Sequence, residues 1–273
     1  MIETLLLATD GSDGAVAAEG FAISLAKSLG ARLRGVTVIE TARVQSLRTA
    51  TLGVAPPPLD AIEGFLKARA DAVCQRLSER ARAASLGVEC ECVSGAADDR
   101  IVERGESADL VVIGRDGENQ AFRTGIFGPT TDAVLRKTTR PCVVVPSGAN
   151  LGGPLLLAFD GSPGSVLAAR LSVEIATRIG AAVHVFVDSK DKGRAAARFE
   201  EVRALLGPLA ATGRETSSTL GRPDVKIVDA ARSVRASLIV MGAFARNRIH
   251  EYFLGSNASA VVRTSPVAVL LAR

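Results

Sequence analysis

Apolar positions in this 273-residue chain gather in short continuous runs, with longer stretches of helical spacing between them. The runs lie near Thr4–Ala8, Arg32–Val38, Val88–Val93, Asp109–Ile113 and Cys142–Val145. They return near Pro154–Phe159, Ala182–Val187, Glu215–Leu220, Ser237–Met241 and Val267–Leu271. Aliphatic runs bounded by turn residues predict strands buried on both faces. Asp60–Leu86 and Asp191–Thr212 are too long for strands and predict helices. Ala18, Phe21, Leu25 and Leu29 fall at i, i+3, i+7 and i+11, one face of a helix that Gly30 stops. Alternating strands and helices predict an α/β fold, a parallel sheet covered on both faces and joined by right-handed crossovers. A ligand crevice is then expected past the strand C-termini, where strand order reverses.

The pattern is written twice. Leu5–Leu6–Leu7–Ala8–Thr9–Asp10–Gly11–Ser12 recurs as Leu155–Leu156–Leu157–Ala158–Phe159–Asp160–Gly161–Ser162, Asp10 and Asp160 standing 150 positions apart. Further on, Gly95 pairs with Gly221, Gly114 with Gly242 and Gly128 with Gly255, at offsets of 126, 128 and 127. The first copy therefore holds about twenty extra residues, placed at Thr41–Asp60, where Pro56–Pro57–Pro58 predicts a loop, either a spacer or a lid. The turn-rich stretch Pro146–Gly153 separates the copies, which divides the chain into domains at 1–148 and 149–273.

The candidate chemistry gathers at the end of the fourth strand of each copy. In the second copy Ser237–Met241 ends in Gly242, a loop follows, and Gly255–Ser256 opens a helix. A helix start presents unpaired N–H groups and partial positive charge, which suit a phosphate. Gly242 is expected to let the backbone approach a ligand and take positive φ, and Ser256 to cap the helix or bond an anion. Asp10 and Asp160 read either as site carboxylates or as turn residues. Arg246, Arg248 and His250 in the second loop read as phosphate contacts or solvated charges, and His184 as a packed residue within a strand.

Composition narrows the choice. Apolar residues make up 47% and aromatic residues only 4%, which fits an aliphatic sheet core. The net charge of +4 is mild and its basic residues are scattered, so they read as solvated surface and not as a nucleic-acid footprint. No run approaches the ~20 apolar residues of a membrane span, and no secretory leader is recognisable, so a cytoplasmic protein is expected. Cys74, Cys90, Cys92 and Cys142 read as small buried residues of a reducing compartment, and no metal site is expected. No P-loop and no nucleophile–His–acid set is present, so no catalytic residues are assigned.

These features together resemble the universal stress protein family. Its members carry Gly-x2-Gly-x9-Gly-[Ser/Thr] after a strand ending in Met-Gly or Ile-Gly, and the second copy reads Gly242-x2-Ala245-x9-Gly255-Ser256. The paired Asp-Gly-Ser turns, Gly95 and Gly221, and the Val-rich last strands Cys142–Val145 and Val267–Leu271 extend the likeness over nearly the whole chain. The resemblance implies two tandem doubly wound five-stranded parallel sheets of adenine-nucleotide-binding, Rossmann-like type, paired through their last strands. It also implies ATP or a related adenine nucleotide as ligand, with or without magnesium, a role in stress response and a protein partner of unknown identity. In the second copy it places Asp160 beside the adenosine and Met241 at the base. Gly242, Ala245, Gly255 and Ser256 would cradle the phosphates, with Asn257 and Ala258 opening the helix. Asp188 falls where the family has an apolar residue against adenine. In the first copy Asp10, Val38, Ile113, Gly114, Gly117 and Gly128 match. There the loop runs one residue longer, Pro129 replaces Ser or Thr, Asp116 and Glu118 add negative charge, and Thr130 and Thr131 are the substitute donors. The second site is the better preserved. A nucleotide-free interaction module and a slow ATPase using Asp160 stay open as alternatives, as does a homodimer.

Overall fold

The computed structural model describes residues 1–40, 59–117, 128–218, 221–243 and 254–273, the side chains of 59–61 excepted. Ala245, Arg246, Arg248, His250, Glu118 and most of the Thr41–Asp60 insertion lie outside the described residues.

In the first half, β1 (Thr4–Ala8) leads to α1 (Asp13–Leu29), β2 (Arg32–Ile39), α2 (Leu59–Ala83) and β3 (Val88–Ser94). Then come α3 (Ala97–Gly105), β4 (Leu110–Gly114), α4 (Pro129–Lys137) and β5 (Cys142–Val145). The second half repeats this as β6 (Leu155–Ala158), α5 (Pro163–Ile179), β7 (Val183–Asp188), α6 (Lys192–Leu206) and β8 (Glu215–Ser218). It ends with α7 (Pro223–Ser233), β9 (Leu238–Gly242), α8 (Ser256–Thr264) and β10 (Ala268–Ala272). The expected helix Asp191–Thr212 divides: Asp191 caps α6, and the chain tightens into a 3₁₀ turn over Gly207–Thr212.

Local chemistry explains how the first helix of each half begins. Ser12 and Ser162 accept the Ala15 and Ser165 N–H groups and so cap α1 and α5. Gly11 and Gly161, between each capping serine and its aspartate, hold φ of 73° and 74°, a left-handed turn that a side chain strains.

Each half has strand order 3-2-1-4-5, and β5 joins β10 antiparallel, with Val144 opposite Val269 and Val143 opposite Leu270. The two expected five-stranded parallel sheets are thus one ten-stranded sheet, β3-β2-β1-β4-β5-β10-β9-β6-β7-β8, parallel everywhere except at that seam. Alternating residues divide between its faces. Leu5, Leu7, Leu155 and Leu157 pack with α1, α2, α5 and α6, whereas Leu6, Ala8, Leu156 and Ala158 pack with α3, α4, α7 and α8. Each core runs through both halves.

The cysteines depart from expectation. Cys142 is fully buried, but Cys74 on α2 is disulfide-bonded to Cys90 on β3, and Cys92 is a half-buried free thiol. Cys90 and Cys92 share the face of the edge strand that α2 covers, so the packing of that helix brings three sulfurs together. Among the described residues, no helix is long and apolar enough to cross a membrane, and no group of His, Cys, Asp and Glu could hold a metal ion.

Candidate functional site

Strand order reverses between β6 and β9 in the second half and between β1 and β4 in the first. A crevice is expected past the strand ends at each reversal. In the second half it is a cleft of about 580 Å³. Asp160 enters it after β6, Met241 and Gly242 at the end of β9, and Gly255, Ser256, Asn257 and Ala258 at the start of α8. These are the residues that the sequence singles out, apart from Ala245.

Several details differ from expectation. Gly242 does not take positive φ; a Cβ there would lie 3.0 Å from the Gly164 carbonyl carbon and the Ser165 nitrogen. Glycine is needed because the start of α5 passes against the end of β9. Ser256 does not cap α8. The N-cap is Gly255 (φ −57°), which supplies no side-chain bond, and Ser256 is the first helical residue, exposed like Asn257. A helix start without a side-chain cap keeps its first N–H groups for solvent or an anion. The loop is pinched at its base, where the Gly255 N–H donates to the Ala243 carbonyl at 2.9 Å.

The turn role of Asp160 is met: its Oδ1 accepts the Ser162 N–H at 2.9 Å, and the residue also lines the cleft. Asp188, at the end of β7 beside Val187, also lines the cleft. Burial raises its carboxyl above the ordinary value, and Lys190 partly opposes that rise. The α6 side carries three cations that the sequence reading left among the scattered charges: Lys190, Arg194 and Arg198. Arg194 and Arg198 stand four residues apart on α6 and so share one helical face, while Lys190 precedes the Asp191 cap; that spacing was the available signal. Arg198 lies across Gly161, where a Cβ would overlap its guanidinium, and donates to Glu201 at 2.5 Å.

The first half is built on the same frame with different side chains. The Gly128 N–H donates to the Arg115 carbonyl at 2.9 Å, as Gly255 does to Ala243, and Pro129 occupies the first turn of α4. Ile113 is buried beside Ala8, and Val38 is half-buried near the end of β2. Gly114 abuts Gly14, as Gly242 abuts Gly164. Thr130 is half-buried on α4. Thr131 is 4% exposed, and its hydroxyl donates to the Gly114 carbonyl at 2.8 Å, so it is spent inside the fold. Asp10 accepts both the N–H and the hydroxyl of Ser12, and its Oδ2 lies beside Gly117. Asp116 is paired with Arg115 at 3.1 Å. The first copy thus differs from the second in Pro129 at the helix start, in an Asp116 paired with Arg115 and in a Thr131 hydroxyl turned into the fold.

Two segments of the chain, residues 1–146 and 153–273, each match the model of the Universal stress protein family. A universal stress protein of Synechocystis sp. is 25% identical over the full length of both chains. One from Thermus aquaticus is 35% identical over 133 residues, which is 44% of this chain and 97% of its own. The crystal structure of a universal stress protein from Archaeoglobus fulgidus superposes with a TM-score of 0.80 at 20% identity, covering 99% of this chain and 98% of that one.

Proposed function

Since the chain belongs to the universal stress protein family, we propose that its second half binds ATP or a related adenine nucleotide and that this occupancy regulates a protein partner during stress. The observation that carries this reading is the cleft at the β6/β9 reversal, where Asp160 and Met241 face the uncapped start of α8. The first-turn N–H groups of Ser256, Asn257 and Ala258 would hold phosphate oxygens, the Ser256 hydroxyl adding one donor. Met241 and Ile227 supply apolar surface for a base, and Asp160 a carboxylate for sugar hydroxyls. Asp188, whose carboxyl is desolvated, is suited to accept a hydrogen bond from a base amino group. Any magnesium would enter as the counter-ion of the phosphates, with Asp160 on its side. Nothing among these groups is placed as a base toward a phosphate, so the reading is one of binding and release. Binding then shifts a population of conformers that the partner distinguishes.

The test is native mass measurement of the freshly purified chain, followed by calorimetric titration with ATP and magnesium. One nucleotide per chain is expected, lost at least ~100-fold in affinity in Gly255→Asp, because a carboxylate there faces phosphate. Equal affinity in that variant would remove the site. No binding by the wild-type chain would favour the nucleotide-free interaction module, whose support here is the Asp160, Asp188 and Asp191 carboxylates already lining the cleft.

A further inference from the structure

Outside the cleft, the described residues hold a cluster of sulfurs between α2 and β3. Cys74 Sγ is bonded to Cys90, and Cys92 Sγ lies 3.7 Å from Cys74 Sγ. Cys90 and Cys92 stand two residues apart on one face of an edge strand, so Cys74 has two alternative partners. Cys90 and Cys92 are both half-buried, which leaves the cluster open to a small reagent. All four cysteines of the chain lie in the first half, so the second copy has no counterpart.

We propose that Cys74, Cys90 and Cys92 form a thiol–disulfide exchange site in which Cys74 pairs with either strand cysteine and a low-molecular-weight disulfide is the oxidant. From the reduced state, two thiols and one external disulfide give one internal disulfide and two external thiols. The internal exchange needs no further reagent. Cys92 sulfur attacks Cys74 sulfur, the Cys74–Cys92 bond forms, the Cys74–Cys90 bond breaks, and the proton lost at Cys92 is matched by one gained at Cys90. Burial, and next a hydrogen bond to the Asp71 carboxylate, push the Cys92 thiol up to about 11. It therefore rests as a thiol beside the Cys74–Cys90 bond. The exchange has somewhere to report. Val73 and Arg76, either side of Cys74 on α2, lie over Gly11 in the Asp10–Gly11–Ser12 turn. Joining Cys74 to β3 holds that helix over the turn.

The experiment needs no nucleotide, so its outcome is separate from that of the binding test. The full chain is equilibrated in buffers of reduced and oxidised glutathione, quenched in acid and alkylated. It is then digested without reduction by a glutamyl endopeptidase, whose cut after Glu91 separates Cys90 from Cys92. The number of alkylated thiols should fall from four to two on oxidation, with a Cys74–Cys90 link. In Cys90→Ser the link should move to Cys74–Cys92, and in Cys74→Ser no internal link should form. Cys90→Ala serves as a second carrier of the same test, and circular dichroism verifies that each variant is folded. Four free thiols in the oxidised buffer, or Cys74 and Cys92 both left free in the folded Cys90 variants, would overturn the proposal.

Discussion

Glu19 is 2% exposed and ionisable. Its Oε1 accepts the Thr9 hydroxyl at 2.6 Å, and its Oε2 pairs with Arg80 of α2. Removing one partner of a buried pair costs more than the pair contributes, because the other charge is stranded. Arg80→Met is therefore expected to lower stability by about 1–3 kcal/mol, discounted because Arg80 is itself 43% exposed. The double variant Glu19→Leu with Arg80→Met should recover part of the loss. Urea midpoints of the three chains decide it, and equal midpoints for Arg80→Met and wild type would show the pair to be idle. A second residue carries a pH signature. Burial, and then Arg214, hold His184 below its ordinary value of 6.5, and its Nδ1 accepts the Arg214 N–H at 2.8 Å. The unfolded imidazole takes up a proton before the folded one does. The His184 contribution is thus fully present above about pH 6.5 and is lost as pH falls through the lower folded value. Between pH 7 and 5, wild type should lose more stability than His184→Asn, whose amide oxygen can still accept that N–H. Neither effect was legible in full. A packed His184 in a strand was expected, but the Glu19 pair depends on a residue 61 positions away, and its counterpart in the second copy is Ala169.

At the scale of elements, the two candidate-site helices are tied at their far ends by arginines from the opposite half. Arg115, next after Gly114, donates to the Ser265 carbonyl at 2.7 Å and to the Arg263 carbonyl at 3.4 Å, at the end of α8. Arg273 donates to the Thr138 carbonyl at the end of α4. A cation at a helix C-terminus opposes the dipole and satisfies carbonyls that have no intrahelical partner. Arg115→Ala should fray the last turn of α8, so that the amides of Val262–Ser265 exchange about five- to tenfold faster by mass-detected hydrogen exchange. Unchanged protection would mean that packing alone holds that turn. The long helices end three to six residues earlier than expected, at Ala83 and Leu206, whereas the described strand ends were legible to within a residue or so, because periodicity is local. These ties were not. Arg115 matches Ala243 in the second copy, and its targets lie 148 and 150 positions away.

At the scale of the molecule, the β5–β10 seam leaves one sheet with one core on each face, both shared by the two halves. Leu7 and Leu157 occupy equivalent, fully buried places in the same core. Scanning calorimetry should therefore show a single unfolding transition. Leu7→Ala and Leu157→Ala should each lower that same transition, by about 2–5 kcal/mol. Two resolved transitions, each sensitive to only one of these variants, would show that the halves melt independently.

Through its aliphatic runs, repeated Asp-Gly-Ser turns and paired glycines, the sequence by itself determined the strands and the strand ends at which the second-half cleft lies. Each of those signals acts through neighbouring residues. Gly242, for instance, was recognisable as obligatory before its reason was. The reason itself, the backbone of α5 pressed against β9, came from tertiary structure, as did the basic wall of Lys190, Arg194 and Arg198, the crossed arginine caps and the meeting of three sulfurs. Those contacts join residues on different elements, and only the packing of the helices on the sheet sets the distances between them.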